Sequence, residues 1–393
     1  MDDMRIRRLL KTENTPFYIF DLDKLQQRIQ FLRENLPASV ELCYAVKANT
    51  FILEAVSRLV DRLEICSPGE LRICRHLNLP ESKFIISGVY KEQLLMWELM
   101  TNGNDVARYT VESMTQFQLL YETARENRKT IPVLLRLTSG NQFGLEEHEI
   151  EQLIAAYRDS CVIDICGIQY FSGTQKNSLK RLKREIVYVD QFLERLYETQ
   201  GYSVRELEFG PGFPVAYFEG ETFDEGNFLR EFSTMLSEML FDGKIVLELG
   251  RSIAASCGSY VTRVMDLKTN HQQNYAIVDG GIHHLVYYGQ SMAMKHPVCR
   301  KLSSGEEEKA ENWNICGSLC TVNDILVKQI PLPELWIGDV LVFENTGAYC
   351  MTEGISLFLS RDLPEVILTK ENAVPQIVRD SIRTDYLNTP KAR

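Results

Sequence analysis

Length, composition and charge already limit what this chain can be. It has 393 residues, of which 45% are hydrophobic and 25% charged, and its formal net charge is -11 at pH 7. This is an ordinary globular composition, and the acidic balance argues against non-specific binding to nucleic acid. No stretch reaches the ~18 apolar residues of a membrane-spanning helix, no secretion signal is evident, and the ten cysteines lack zinc-binding or disulfide-rich spacing. We therefore expect a cytoplasmic protein that binds neither a membrane nor a metal.

Short β-rich runs alternate with helical patterns between residues 40 and 250. The predicted strands are, in chain order, Val40–Ala48, Leu63–Ser67, Phe84–Ser87, Ala107–Glu112, Ile131–Leu137, Ile163–Phe171, Glu206–Phe209 and Ile245–Leu249. The fifth and the eighth are nearly continuous apolar runs, as expected of strands buried on both faces. Eight strands that alternate with helices predict an α/β fold with a (β/α)8 barrel of the TIM type. A doubly wound sheet is the alternative, but it usually has fewer strands.

After Arg251 the helical periodicity fades, and turn residues separate short strand-like runs. These runs are Tyr260–Met265, Tyr275–Val278, Leu326–Ile330, Asp339–Phe343 and Ile355–Leu359. They predict a second, β-rich domain of the barrel or sandwich type, and the polar residues of Arg300–Asn312 predict a surface loop within it. We expect the barrel to span residues 16–257 and the β-rich domain to span residues 258–393, with residues 1–15 packed on the latter.

The carboxyl ends of the predicted barrel strands carry the residues from which an active site would form. Lys47 closes the first apolar run, where a lysine is costly unless its amine reaches water, a partner or a covalently bound aldehyde. Glycine-rich turns follow the sixth, seventh and eighth strands, and Arg251 adds a cation, so that these turns could hold a phosphate. Each feature alone also fits an ordinary lysine or an ordinary turn. Together with Glu248, a carboxylate at the end of the eighth strand, they describe a site for pyridoxal 5'-phosphate.

Six motifs occur in an order that resembles the fold-type III pyridoxal-phosphate decarboxylases, which include the diaminopimelate, ornithine and arginine decarboxylases. They are YAVKAN, PGE, GPGFP, ELGRS, GSLC and GAY, and the resemblance runs from Thr15 to Tyr349. Any one motif is a weak signal, but their order along almost the whole chain is a strong one. The resemblance implies a decarboxylase that releases CO2 from the α-carbon of an amino acid, and an obligate homodimer with both active sites at the interface.

The resemblance also assigns roles by matching positions. Lys47 resembles the lysine that carries the cofactor as a Schiff base, and Glu248 resembles the carboxylate that pairs with the pyridine nitrogen. Cys320 resembles the cysteine that one subunit lends to the active site of the other, where it donates a proton. The phosphate-binding positions match Gly210, Gly212, Gly250, Arg251, Tyr349 and Thr174. The polar positions around the cofactor ring and the lysine match Glu64, Glu70 and Arg136.

Three departures from the family pattern concern the cofactor face and the substrate. Phe171 replaces a histidine that stacks on the cofactor, so that stacking survives but an imidazole acid or base is lost. Thr321 replaces the aspartate or glutamate that binds the distal amine of the substrate. A neutral hydroxyl cannot favour a substrate ammonium by charge pairing. Thr138–Asn141 form a very short loop where the family has a longer segment. We therefore expect a modified amino acid as substrate.

Three further motifs, SGTQ, VDGGIHH and LCT, indicate a resemblance to particular members of this family. Their combination is similar to the butirosin-pathway type of decarboxylase, whose substrate is a glutamyl group tethered to an acyl carrier protein, and to siderophore-pathway decarboxylases of conjugated amino acids. The alternatives are a diaminopimelate decarboxylase of lysine biosynthesis, an alanine racemase-like enzyme and a non-catalytic relative. Glu248 argues against the racemase, which places an arginine at the pyridine nitrogen. The presence of both Lys47 and Cys320 argues against a non-catalytic relative.

Overall fold

Two units, each built around its own sheet, divide the chain in the structure, a computed structural model that describes residues 3–101, 105–302 and 309–391. The barrel unit consists of Arg28–Pro214 and Asp224–Ile253, apart from residues 102–104. The sheet unit consists of the described parts of Met1–Gln27, Val215–Phe223 and Ala254–Arg393. The sheet unit is therefore assembled from three separate segments of the chain.

The strands and helices are numbered in chain order. The strands are β1 (Phe17–Asp21), β2 (Glu41–Ala45), β3 (Arg62–Ile65), β4 (Phe84–Ile86), β5 (Arg108–Val111), β6 (Ile131–Leu137), β7 (Ile163–Phe171), β8 (Glu206–Gly210), β9 (Lys244–Leu249), β10 (Gly258–Asn270), β11 (Gln273–Val278), β12 (Cys299–Lys301), β13 (Ala310–Cys316), β14 (Ile325–Pro333), β15 (Val340–Glu344), β16 (Glu365–Thr369) and β17 (Gln376–Arg379). The α-helices are α1 (Asp3–Leu9), α2 (Leu22–Asn35), α3 (Leu53–Val56), α4 (Pro68–His76), α5 (Gln93–Thr101), α6 (Met114–Glu126), α7 (Glu147–Tyr157), α8 (Leu179–Gln200), α9 (Glu225–Ser237) and α10 (Arg251–Ala254).

The strands β2 to β9 form a closed parallel barrel, in which each strand pairs with the next and β9 returns to β2. The predicted (β/α)8 barrel is thus confirmed, and its predicted strands are present with shifts of a few residues at their ends. The first predicted strand extends to Ala48, but β2 ends at Ala45. Val46–Ala48 instead form one turn of 3-10 helix, and this turn places Lys47 at the carboxyl end of the barrel.

Serine caps begin the helices that follow three of these strands. The hydroxyl oxygens of Ser67 and Ser113 each accept a hydrogen bond at 3.2 Å from the amide three residues further on, and Ser178 does the same at the start of α8. Such caps satisfy main-chain N–H groups that the first turn of a helix leaves without a partner. Helix α8 ends at Gly201, which has a left-handed φ of 62° that suits glycine. The sequence therefore defines where the helix that follows each of these strands begins.

A buried ionic cluster closes the amino end of the barrel. Arg62, the first residue of β3, donates to both carboxylate oxygens of Glu206, the first residue of β8, at 2.8 and 3.0 Å. It also donates to Glu41 at 2.9 Å, and Arg108 of β5 reaches Glu206 at 2.7 Å. Buried charges are tolerated when several hydrogen bonds replace the water that they have lost. This end of the barrel is therefore structural, whereas chemistry is expected at the opposite end.

The sheet unit contains one mixed sheet with the strand order β14-β13-β11-β10-β1-β16-β17, and β15 pairs with β10 and β12. The predicted β-rich second domain is thus confirmed. Strand β1 lies inside this sheet, antiparallel to β10 and parallel to β16, and all five of its residues are buried. The expected boundary at residue 16 assigned this segment to the barrel, but its hydrogen bonds belong to the sheet unit. The apolar cluster around it consists of Ile6, Leu9, Phe17, Ile19, Val261, Val340, Val342 and Ile367.

Two predictions for the sheet unit are wrong. Ile355–Leu359 is not a strand, because these residues form turns that lead into a 3-10 helix at Phe358–Ser360. Leu359 has a left-handed φ of 58°, which an extended strand cannot contain. Arg300–Asn312 is not one loop, because its described ends belong to β12 and β13, and residues 303–308 lie outside the described residues. The strands β1, β12, β13, β16 and β17 were not predicted from the sequence.

Candidate active site

Lys47 lies at the carboxyl end of the barrel between two glutamates. Its Nζ donates to Glu64 Oε2 at 2.8 Å and lies 3.5 Å from both Glu248 Oε1 and Cys66 Sγ. Strand β2, which leads to Lys47, pairs with β3 on one side and with β9 on the other. Glu64 comes from β3 and Glu248 from β9, so closure of the barrel brings both carboxyl groups to the lysine. The structure therefore unites three residues that the sequence singled out.

The two glutamates are both buried, but they ionise in opposite ways. Burial would raise the pKa of Glu64, yet the Lys47 ammonium overcomes this effect and lowers that pKa to about 2. Burial and then the negative charge of Glu64 raise the pKa of Glu248 to about 8. At neutral pH Glu64 is therefore a carboxylate paired with Lys47, whereas Glu248 holds a proton. The site thus has an ionised and a protonated carboxyl group beside one amine, and the two carboxyl groups are hydrogen-bonded to each other.

A third glutamate, Glu208 in β8, was not predicted from the sequence. Its Oε1 accepts a hydrogen bond at 2.7 Å from Gln169, which faces it across the β7–β8 pairing. Burial, followed by the charges of Glu248 and Glu64, raises the pKa of Glu208 well above its usual value. Burial therefore favours the protonated form of Glu208, which is hydrogen-bonded to Gln169. The available signal was its spacing of two residues from Glu206, because alternate residues of a strand point to the same face.

Arg136, at the end of β6, is held by a carboxylate from the neighbouring strand. It donates to Glu112 Oε2 at 2.8 Å, and its guanidinium lies 4.7 Å from the centre of the Phe143 ring. Lys91, which the sequence did not single out, is also buried and donates to the carbonyl oxygen of Gly88 at 3.1 Å. Burial lowers the pKa of Lys91 to about 8, against the opposing charge of Glu112. This side of the barrel thus contains Arg136, the carboxylate of Glu112 that holds it, and the buried Lys91.

Glu70 supports the turn after β3. Its carboxylate accepts a hydrogen bond from the main-chain N–H of Cys66 at 2.7 Å, and its own N–H donates to Ser67 at 3.2 Å. These bonds hold the chain as it leaves β3 and enters α4. Glu70 therefore acts on the position of Cys66, which contacts Lys47.

The loops after β7 and β8 meet so closely that glycine is required at the contact. Gly212 has a left-handed φ of 60°, and Gly173 has a φ of 124°. A Cβ on Gly212 would collide with the carbonyl oxygen of Gly173 and lie 3.0 Å from Thr174 Cα. Gly210 lies against the ring of Phe171, whose Cγ would be 3.2 Å from an added Cβ. The structure therefore brings the predicted residues Gly210, Gly212, Phe171 and Thr174 into one surface.

Gly250 and Arg251 follow β9, which is the neighbour of β8 in the barrel. Arg251 begins α10 and is buried. Because the carboxyl ends of parallel strands lie on one side of a barrel, these two residues share that side with the glycine loops of β7 and β8.

Cys320, Thr321 and Tyr349 belong to the sheet unit. Cys320 is exposed in a turn that Asp324 closes, since the Asp324 carboxylate accepts a hydrogen bond from the N–H of Leu319 at 2.7 Å. Tyr349 has a left-handed φ of 64°, and its carbonyl oxygen accepts hydrogen bonds at 2.8 and 3.0 Å from the amides three and four residues further on. Both segments are thus tight, hydrogen-bonded turns rather than open loops.

Within the described residues, no helix combines the length and the apolarity that crossing a membrane requires. The same part of the chain contains no group of three or more histidine, cysteine, aspartate or glutamate side chains arranged to hold a metal ion. All ten cysteines are described, and each is a free thiol.

Comparison with known proteins identifies the family. A family model described as pyridoxal-dependent decarboxylase, C-terminal sheet domain, matches residues 17–347. The chain is 27% identical over 418 aligned positions to the L-glutamyl-[BtrI acyl-carrier protein] decarboxylase of Niallia circulans, with 99% of this chain and 96% of that protein covered. It is 29% identical over 395 positions to the 2-[(L-alanin-3-ylcarbamoyl)methyl]-2-hydroxybutanedioate decarboxylase of Staphylococcus aureus, with 92% and 97% covered.

A solved structure shares the fold. The diaminopimelate decarboxylase of Helicobacter pylori in complex with L-lysine matches with a TM-score of 0.85 at 22% identity, over 97% of this chain and 98% of that one. This likeness extends over both units, each of which has its counterpart in that protein. Because the family model covers most of the sequence, the chain belongs to the pyridoxal-dependent decarboxylases, and pyridoxal phosphate is its cofactor.

Proposed function

We propose that this protein removes CO2 from the α-carbon of a modified or carrier-tethered amino acid. The observation that carries the proposal is the convergence of Glu64 and Glu248 on Lys47 at the carboxyl end of the barrel. The substrate class rests on Thr321 and on the two relatives, whose names describe amino acids that carry a further group. One is a glutamyl group on a carrier protein, and the other is an alaninyl group joined through a carbamoyl link.

The residues of the barrel unit fit pyridoxal phosphate. Lys47 offers an amine for its aldehyde, and 41% of this side chain is exposed. Only glycine fits where Gly212 meets Gly173, and glycine-rich turns allow main-chain N–H groups to approach a phosphate closely. Within this unit, the residues proposed to hold the phosphate are Gly210, Gly212, Thr174, Gly250 and Arg251. When bound, the cofactor would supply an electron sink for the electron pair that departing CO2 leaves behind.

The opposite pKa shifts give the two glutamates different tasks. Glu248 holds a proton at neutral pH and can donate it to the ring nitrogen of the cofactor, where the resulting carboxylate would stabilise the positive charge. Glu64 stays ionised and orients the Nζ of Lys47, so that the amine returns to one position after each turnover. A glutamate at the ring nitrogen also distinguishes this proposal from an alanine racemase, which has an arginine there.

Cys320 is proposed to return a proton to the α-carbon after CO2 has left. Its thiol is exposed in a hydrogen-bonded turn, so it is accessible to a second subunit. We propose a homodimer in which each subunit lends Cys320 to the site of the other, as the family resemblance implies. A cytoplasmic location is supported by the ten free cysteines, because thiols stay reduced in that compartment.

Thr321 is proposed to contact the distal part of the substrate. A hydroxyl can donate a hydrogen bond to the carbonyl oxygen of an amide or a thioester, but it cannot neutralise an ammonium. A conjugated or tethered amino acid has such a carbonyl where a free diamino acid has a charged amine. Phe171 would offer an apolar ring to the face of the cofactor without acting as an acid or a base.

CO2 release from protein loaded with pyridoxal phosphate tests the proposal. One set of substrates is free meso-diaminopimelate, ornithine, lysine and arginine. The other set is L-glutamate linked as a thioester to an acyl carrier protein, and 2,3-diaminopropionate acylated on its side-chain nitrogen. We expect turnover in the second set and little in the first. The Lys47→Ala variant is the control and should release no CO2 from any substrate.

The alternative outcomes are distinct. Rapid turnover of free meso-diaminopimelate would assign a diaminopimelate decarboxylase, and it would show that Thr321 does not exclude an ammonium. If the wild-type protein develops no visible absorbance band with pyridoxal phosphate while Lys47 is intact, the assignment of Lys47 is wrong.

A further inference from the structure

We infer that Lys176 is a positioning residue that holds the loops after β7 and β8 in the conformation that binds the cofactor phosphate. The inference rests on the proposed phosphate site and adds a residue that does not touch the phosphate. Lys176 lies two residues after Thr174, between β7 and α8. None of its side chain is exposed, with a relative exposure of 0%. It can therefore act on a ligand only through its neighbours.

Lys176 makes three hydrogen bonds at the contact between the two loops, two from its side chain within the β7–α8 segment and one from its main chain to the loop after β8. Its Nζ donates to Ser172 Oγ at 2.8 Å and to Glu185 Oε2 at 2.6 Å. Its main-chain N–H donates to the carbonyl oxygen of Gly212 at 2.9 Å. Ser172 belongs to the loop after β7, and Gly212 belongs to the loop after β8. One residue thus fixes the relative position of both loops.

Helix α8 anchors this arrangement to the barrel unit. The second carboxylate oxygen of Glu185 accepts a hydrogen bond from Arg181 Nε at 3.0 Å. Arg181 also donates to the carbonyl oxygen of Ser172 at 3.0 Å. Ser172 is therefore held at its side chain by Lys176 and at its main chain by Arg181, and both cations share one carboxylate.

Stability alone does not explain why an ion pair is buried here. Burial is the largest influence on Lys176 and lowers its pKa, while the hydrogen bond to Glu185 acts in the opposite direction. Apolar residues of similar size usually give equal or greater stability than a buried ion pair. The position that the Lys176 ammonium imposes on Ser172, together with the packing of its side chain against Gly212, is therefore the better explanation for a lysine at this position.

The packing between the loops leaves little room for adjustment. The Cε of Lys176 and the Cα of Thr174 would each be 3.0 Å from a Cβ on Gly212, and the carbonyl oxygen of Gly173 is closer still. In interiors packed this densely, a displacement at one residue moves its neighbours. Loss of the Lys176 hydrogen bonds should therefore displace Thr174 and Gly212, which are proposed to hold the phosphate.

Two forms of the cofactor separate a positioning role from a merely structural one. Pyridoxal phosphate and pyridoxal share the aldehyde that Lys47 would capture, but only the first has a phosphate. The measurement is the Kd of each, from visible absorbance, for the full-length cofactor-free protein and its Lys176→Met variant. We expect the Kd of pyridoxal phosphate to rise about tenfold or more, and about 1.4 kcal/mol corresponds to tenfold. The Kd of pyridoxal should stay within about twofold of the wild-type value.

Two further variants control this experiment. Lys180→Met removes an exposed lysine of α8 and should leave both Kd values unchanged. If Lys176→Met does not fold, Glu185→Gln replaces it, because glutamine keeps the shape of Glu185 and weakens its bonds to Lys176, Arg181 and Ser172. We expect Glu185→Gln to raise the Kd of pyridoxal phosphate selectively and by a smaller factor.

The outcomes separate this inference from the proposed function. Equal losses of affinity for both forms would show that Lys176 merely supports the fold, and an unchanged Kd for pyridoxal phosphate would also overturn the inference. A wild-type protein that binds pyridoxal phosphate no more tightly than pyridoxal would instead contradict the proposed phosphate site.

Discussion

Replacement of Gly212 by alanine tests whether the contact between the two glycine loops is needed for cofactor binding. The added Cβ would collide with the carbonyl oxygen of Gly173 and lie 3.0 Å from Thr174 Cα, so one loop must move. A left-handed φ of 60° adds about 1 to 2 kcal/mol of backbone strain when the residue is not glycine. Since a misplacement of roughly 1 Å at a binding site can cost on the order of 100-fold in function, we expect a large loss of cofactor affinity.

Gly201 provides a matched control for the backbone strain. Its φ is 62°, close to that of Gly212, but nothing lies within 4 Å of an added Cβ. The assay is the Kd of pyridoxal phosphate together with the free energy of unfolding from denaturant titration. Both variants should lose about 1 to 2 kcal/mol of stability from strain, and only Gly212→Ala should lose affinity. If Gly212→Ala binds the cofactor as tightly as Gly201→Ala, the loops relax without loss and the reasoning about their contact is wrong.

Three further predictions concern single residues. Cys320→Ala should lower kcat but leave the Kd of pyridoxal phosphate unchanged, and a normal kcat would remove the thiol from the mechanism. In the cofactor-free protein, the contribution of Glu248 to stability should fall as the pH rises from about 5 to about 8, because unfolded Glu248 has released its proton whereas folded Glu248, with a pKa of about 8, still holds it. Urea titrations should therefore show that the free energy of unfolding of Glu248→Gln rises relative to that of the wild type over this range, and equal slopes would contradict this assignment. Arg62→Met should lower the free energy of unfolding by about 3 kcal/mol, because the carboxylate of Glu206 keeps fewer partners, and it should leave cofactor affinity intact.

The barrel strands could be predicted because burial on both faces is visible in the sequence. Strands β6 and β7 match the predicted ranges Ile131–Leu137 and Ile163–Phe171 at both ends. Parallel strands that are covered on both sides need nearly continuous apolar runs, and few other elements of that length do. Ile355–Leu359 has a similar apolar content, yet Leu359 is 51% exposed in a turn. Composition did not distinguish this exposed segment from a buried strand.

From the sequence, the active site could be predicted only as residues at the carboxyl ends of separate strands. The barrel order then explains why Glu248 reaches Lys47, since closure makes the last barrel strand a neighbour of the first. The pair of Gln169 and Glu208 depends on the register between β7 and β8, and a connection that contains a helix of 22 residues does not encode that register locally. Lys176 lies in a polar stretch of the sequence, and its burial is apparent only after the loops are in place.

Glu64 and Glu248 show how one residue type acquires two functions in one site. Both come from strands that flank β2, and both approach the amine of Lys47. The shorter contact, 2.8 Å against 3.5 Å, gives Glu64 most of the stabilisation from the ammonium, and the charge that Glu64 retains then raises the pKa of Glu248. Two titratable groups whose pKa values are driven apart define an acid and a base. The ion pair that holds Lys47 in place thus favours the protonated form of Glu248, which is the form proposed to donate a proton to the ring nitrogen of the cofactor.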